Sequence, residues 1–188
     1  MTVQLITPRR FGDSRGWFAE TFRRDSVIAM GIDADFCQDN HSYSAAAGTL
    51  RGLHFQREPH AQAKLVRCTR GSIFDVAVDL RPESPTYRQC VSTVLTAVGG
   101  EQLFVPRGFG HGFLTLEPDC EVQYKVDDYY APAADGGVRW DDPILAIDWP
   151  RIDGLDAPIL SDKDAGLPLL TDLTLEFAYD GRPLLPLS

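Results

Sequence analysis

Residues 64–80 read KLVRCTRGSIFDVAVDL, and this stretch decides the fold class. Two runs rich in Val, Ile and Leu flank Gly71 and Ser72, a pair that reads as a turn between strands. The second run, 72–80, alternates apolar and polar residues only roughly, as a strand does when much of both its faces is buried. Working outward, 90–97 (CVSTVLTA) has the same character, and Gly99 and Gly100 separate it from a short strand at 103–105. Runs at 112–116 and 121–130 complete the series. Residues 23–30 fit a short helix stopped by Gly31. The tail from about 140 to 188 is rich in Pro, Asp and Leu, with a helical turn expected around 162–166, and is expected to pack on the strands. Many short strands with regular turns predict an all-β jelly-roll sandwich or barrel with a few short peripheral helices. At 188 residues, with no fixed-period repeat and no low-complexity tract, a single domain over 1–188 is expected.

Composition narrows the function classes. Hydrophobic residues make up 44% and charged residues 24%, ordinary for a globular chain. A net charge of −9 argues against a nucleic-acid partner, which calls for a basic face. The N-terminus, MTVQLITPRRFGDSRG, has no apolar h-region, and no stretch is long and apolar enough to predict a membrane span. Cys37, Cys68, Cys90 and Cys120 form no CxxC pair or zinc-finger spacing, so they are expected to be reduced, mostly core residues of a cytoplasmic protein.

Two spaced motifs sharpen the fold. Gly100-x5-Pro106-x-Gly108-x2-His111 has the spacing of the second cupin motif, with Thr115 where Asn is usual. Upstream, Gly48-x5-His54-x-Gln56 followed by Lys64-x6-Gly71 has the spacing of the first. That motif normally offers a metal two histidines and a glutamate. Here Gln56 replaces the second histidine and Lys64 the glutamate. An ammonium repels a divalent ion and has no lone pair, so no metal is expected. A cavity whose charge is so inverted suits an anionic organic ligand. Arg51 and His54 lie three apart in GTLRGLHFQ; Gln38 and Asn40 lie in CQDNHSYS; Arg15 and Glu20 lie in FGDSRGWFAETF. Because guanidinium groups bind phosphate oxygens in pairs, Arg15, Arg51 and Lys64 form a candidate diphosphate clamp.

Nine ordered segments carry a more specific resemblance: FGDSRGWFAETF, FCQDNHSYS, GTLRGLHFQ, AQAKLVRCTRGSIFDVAVDLRPESPTY, LFVPRGFGHGF, VQYKVDDYY, DGGVRWDDP, IDWP and LSDKDAGLPLL. From about Phe11 to Leu170 the chain resembles the dTDP-4-dehydrorhamnose 3,5-epimerase family of the cupin superfamily. The resemblance implies a dTDP-4-keto-6-deoxyhexose substrate and no cofactor. It implies His54 as base, Asp164 as its carboxylate partner, Tyr124 as the acid on the opposite face, and Lys64 beside the C4 oxygen. It also implies substrate-binding roles for Arg15, Glu20, Gln38, Asn40, Arg51, His111, Tyr130 and Lys163, with Tyr130 a platform for the thymine ring. A homodimer is implied, with N-terminal strands, about 1–45, exchanged so that Arg15 and Glu20 complete the neighbour's site. Three other readings are weighed beside it: a single-site epimerase of an antibiotic sugar, a non-catalytic cupin that binds a sugar nucleotide, and a metal-dependent cupin oxygenase. The last two rank lower, because a binding module needs no paired acid and base and the metal ligands are replaced.

Overall fold

The computed structural model describes residues 1–187. The first residues form β1 (Gln4–Ile6) and a hairpin of β2 (Arg10–Asp13) and β3 (Gly16–Ala19), followed by α1 (Arg24–Ala29). Then come β4 (Gln38–Ser44), β5 (Leu50–Gln56), β6 (Lys64–Arg70) and β7 (Ser72–Asp79). Four more follow in β8 (Cys90–Thr96), β9 (Gln102–Val105), β10 (Phe109–Thr115) and β11 (Cys120–Val126). Short β12 (Asp135–Gly137) precedes a tail whose one α-helical turn is α2 (Asp162–Ala165).

The strands build two five-stranded antiparallel sheets, ordered β1-β9-β6-β11-β4 and β12-β5-β10-β7-β8. This is the jelly-roll sandwich expected from the strand series and the cupin spacing. Val66, Ile73, Ala77, Leu103, Phe113 and Val122, drawn from both sheets, fill the space between them. The other face of β7 carries Val76 and Val78 into a second cluster with Leu53 and Phe55. Val138, Leu145, Leu170 and Phe177 of the tail close over that cluster. β7 is therefore buried on both faces, which is why its alternation is weak in the sequence. The tail packs as expected; its last residue, Ser188, lies outside the described residues.

Several expectations need correction. The run 121–130 stops being a strand at Val126, because the Asp127 carboxylate turns in to accept the Ala63 N–H at 2.6 Å. Residues 50–56 form a full strand that the sequence pattern does not single out. Cys68 and Cys120 are buried, but Cys37 and Cys90 are exposed; all four are free thiols. Apart from these corrections, β1 pairs with β9 and β4 with β11 of the same chain, and the β2–β3 hairpin joins neither five-stranded sheet. No helix among the described residues is long and apolar enough to cross a membrane.

Candidate active site

His54 owes its placement to an irregularity in β5. Opposite β10, His111 pairs with His54 but Phe113 pairs with Arg51, so three steps on β5 match two on β10. In a regular strand, residues three apart point to opposite faces. The extra residue re-aims the chain, and Arg51 and His54 both line one cavity of about 250 Å³. Gly52 makes this possible. Its φ is +124°, and a Cβ there would lie 2.6 Å from the Gly112 Cα and 2.8 Å from the His111 carbonyl oxygen.

The partner of His54 arrives from the far end of the chain. Ser161 caps α2, its Oγ accepting the Asp164 N–H at 3.1 Å and donating to the Asp164 Oδ2 at 2.9 Å. The Asp164 Oδ1 meets the His54 Nε2 at 2.5 Å. Burial pushes the Asp164 carboxyl up, but the bonds from His54, Ser161 and the Gly52 N–H outweigh it and hold the group below its ordinary value. An ionised Asp164 makes the His54 Nε2 the donor and leaves the lone pair on Nδ1.

The facing wall is set by strand register. Tyr124 pairs with Asn40 on one side and Val66 on the other; Val126 pairs with Gln38 and Lys64. Alternation then puts Gln38, Asn40, Lys64 and Tyr124 on the inner face, while Asp39 and His41 point away. Gln38, Asn40 and Tyr130 border a second cavity of about 270 Å³, which shares His54, Lys64, Tyr124 and Lys163 with the first. The two cavities form one cleft with His54 on one sheet and Tyr124 on the other.

The charge of the cleft runs against that of the protein. Arg51, Lys64 and Lys163 line the first cavity, with Asp164 the carboxylate among its lining residues. Lys64 is 8% exposed, and its Nζ donates to the His54 carbonyl oxygen at 3.3 Å. Burial pushes this ammonium down to about 8, with Lys163 adding to the push while Asp75 and Asp135 oppose it. Burial likewise raises the Tyr124 phenol, which is therefore neutral near pH 7. For Lys163, burial works downward but the Asp135 carboxylate, 2.5 Å away, prevails and raises it.

His111 lines the first cavity, but its ring is buried and its Nε2 donates to the Asp75 Oδ1 at 2.6 Å. Burial, reinforced by Lys64 and His54, takes it below its ordinary value despite Asp75. Arg15 and Glu20 are not brought to the cleft by this chain. Arg15 is exposed at the tip of the β2–β3 hairpin and paired with Asp13 at 2.5 Å. Glu20 borders a neighbouring cavity of about 450 Å³, together with Arg67 and Lys125, which meets the cleft at Asn40 and Tyr124. The clamp expected of Arg15, Arg51 and Lys64 is thus not assembled within the chain, because the hairpin belongs to neither five-stranded sheet. His41 and His60 pair at the surface with Glu121 and Asp128.

Two residues of the site escaped the sequence reading. Asp75 is a fully buried acid in an otherwise apolar strand, and that oddity was its signal. Asp135 sits in an ordinary turn-like stretch, DGG, which gave none. The donor set does not fit the metal common in cupins. His54 and His111 each commit Nε2 to a carboxylate, and the third ligand position is the Lys64 ammonium. Among the described residues, no group of three or more His, Cys, Asp or Glu side chains could hold a metal.

The model of the family described as dTDP-4-dehydrorhamnose 3,5-epimerase matches residues 1–172. A dTDP-4-dehydrorhamnose 3,5-epimerase of Sinorhizobium fredii is 51% identical over 94% of this chain and 89% of its own length. The crystal structure of a dTDP-4-dehydrorhamnose 3,5-epimerase from Bacillus anthracis, with TDP and PPi bound, superposes with a TM-score of 0.85 at 52% identity, covering 88% of this chain and 93% of its own. That of a dTDP-6-deoxy-D-glucose-3,5-epimerase from Legionella pneumophila, in complex with dTDP-4-keto-L-rhamnose, gives 0.83 at 42% identity, covering 89% and 87%.

Proposed function

The chain belongs to the dTDP-4-dehydrorhamnose 3,5-epimerase family, and from that premise we propose that it inverts C3 and C5 of dTDP-4-dehydro-6-deoxy-D-glucose, giving dTDP-4-dehydro-L-rhamnose. The observation that carries the reading is the His54–Asp164 pair at 2.5 Å, opening onto the cleft that Lys64 and Tyr124 also line.

The chemistry follows from the ketone. Hydrogens on C3 and C5 are acidic because the electron pair left behind delocalises onto the C4 oxygen. His54 takes the proton on Nδ1 as its C–H bond breaks, and Asp164 stabilises the imidazolium that forms. The Lys64 ammonium faces the enolate oxygen, a charge already in place before the reaction begins. Tyr124 returns a proton from the other wall, and a neutral, buried phenol suits that task. Protonation on the face opposite to abstraction inverts the carbon. Each inversion leaves His54 protonated and Tyr124 ionised, so His54 gives its proton to solvent and Tyr124 regains one before the same groups serve the second carbon. Arg51 and Lys163 are the cations available to the diphosphate, while Gln38, Asn40 and Tyr130 line the adjoining cavity for the nucleotide. His111 borders the sugar.

We also assign the chain to a cytoplasmic homodimer in which the β2–β3 hairpin carries Arg15 and Glu20 towards a partner's cleft. Phe11, Trp17 and Phe18 on this hairpin are 52%, 59% and 69% exposed, which supports burial against a second copy. The four free thiols fit a reducing compartment.

The reaction is tested in deuterated buffer with dTDP-4-dehydro-6-deoxy-D-glucose. NMR is expected to show deuterium entering at both C3 and C5. Exchange confined to one carbon would assign a single-site epimerase, and exchange at neither would overturn the proposal.

A further inference from the structure

We propose that Asp135 is a positioning residue of this site: its carboxylate holds the Lys163 ammonium and thereby fixes α2, the turn that sets Asp164 against His54. The consequences for turnover rest on the epimerase reading; the anchoring of α2 does not.

Backbone bonds hold the flanks of α2, Ile159 to Gly48 and Leu50, and Pro168 to Arg139, but a four-residue helix has no stability of its own, so the set of the turn between them depends on what its side chains grip. The cap from Ser161 is internal to the turn and fixes its shape rather than its position. Two side chains reach outward to the second sheet. Asp164 reaches His54, and Lys163 reaches the Asp135 Oδ2 at 2.5 Å. Both targets share one frame: β12 pairs directly with β5, Asp135 facing Gln56 and Gly137 facing His54. The adjacent residues Lys163 and Asp164 therefore form a two-point clamp on two paired strands. Of the two points, the His54 contact must alter as the imidazole gains and loses a proton, whereas the Asp135 contact keeps its charges throughout. Asp135 also accepts a hydrogen bond from the Tyr130 hydroxyl at 3.4 Å, and it borders the same cavity as Lys64.

Asp135 has a second effect, on charge. The groups around Lys64 are Arg51 and His54 on β5, Asp75 on β7, His111 on β10, Tyr124 on β11, Tyr130 after it, Asp135 on β12, and Lys163 and Asp164 on α2. Asp75 and Asp135 are the carboxylates that favour its protonated form, and Lys163 opposes them. Neutralising Asp135 removes one of these supports, so the ammonium is lost at lower pH.

The test compares Asp135→Asn, Asp135→Glu and Lys163→Met with the unaltered protein. In the resting protein, Asp135→Asn is expected to speed amide exchange of residues 162–166 several-fold and to weaken the downfield His54 imidazole N–H resonance. Lys163→Met is expected to do the same, and the double variant no more than either. In turnover, Asp135→Asn is expected to lower kcat about tenfold with a smaller change in KM, and to move the alkaline limb of the pH profile downward. Asp135→Glu is expected to restore much of both. Unchanged amide exchange and imidazole resonance in Asp135→Asn would overturn the proposal. Loosened α2 in a protein that turns over no ketosugar would retire the epimerase reading and leave the anchoring intact.

Discussion

Lys64 is 8% exposed yet keeps its ammonium in a cavity beside His54 and His111. Its pKa of about 8 lies below the ordinary 10.5, so the unfolded chain binds more protons than the folded one between these values. Folding stability from this group is therefore fully present above about 10.5 and is lost as pH falls through about 8. Activity should follow the opposite course, falling as pH rises through about 8 and the charge proposed to face the enolate disappears. Lys64→Met should thus abolish turnover while stabilising the fold by about 2 kcal/mol at pH 7, a gain that shrinks towards alkaline pH. Urea denaturation of both proteins across the pH range, beside a pH–rate profile, checks this. His54→Ala is expected to lower kcat by about 10²- to 10⁴-fold with little effect on binding. Arg51→Ala is expected chiefly to weaken binding of the diphosphate. Steady-state kinetics and calorimetric titration with TDP separate the two, and reversed effects would refute the roles given to these residues.

At the scale of elements, β5 shows what local pattern can and cannot reveal. Gly52→Ala is expected to destabilise the protein by about 3 kcal/mol or more, because the new Cβ meets the backbone of Gly112 and His111, neither of which can yield as a side chain could. Circular dichroism during denaturation measures the loss, and kcat should fall with it as Arg51 and His54 lose their common face. The same glycine hid the strand. Gly48 and Gly52 interrupt the alternation of GTLRGLHFQ, so 50–56 carries no period of two, whereas β6 was legible to the residue because KLVRCTR has no such break. β1, β2, β3 and β12 are three or four residues each, and their strand character comes from their partners rather than from their own composition. His54 and His111 could be found from motif spacing. Asp164 could not, since 110 residues separate it from His54 and only resemblance to a family joined them. Asp135 was invisible because its role comes from a Lys163 contact made by the folded tail.

At the scale of the whole molecule, the tail is the second sheet's outer cover as well as the carrier of Asp164. Phe177 is 4% exposed and packs edge-on against Phe55, with ring centroids 5.5 Å apart. Phe177→Ala is expected to cost about 3–5 kcal/mol in chemical denaturation. Turnover should be lost at lower denaturant than the bulk strand signal, because the tail that releases its grip on the sheet also carries α2. One consequence follows from the proposed base and acid, His54 and Tyr124, standing on different sheets. No single strand determines the gap between them; it is set by the filling of the sandwich, by Val66, Ala77, Phe113 and Val122, against which Tyr124 itself packs. These apolar side chains act as a spacer between the two halves of a catalytic tool, and a displacement of about 1 Å is enough to cost two orders of magnitude in rate. Core volume in this protein is therefore under a constraint of gauge as well as of cohesion. A methylene added between the sheets is expected to cost rate out of proportion to its cost in stability, because it also moves the proposed proton donor away from the carbon it serves.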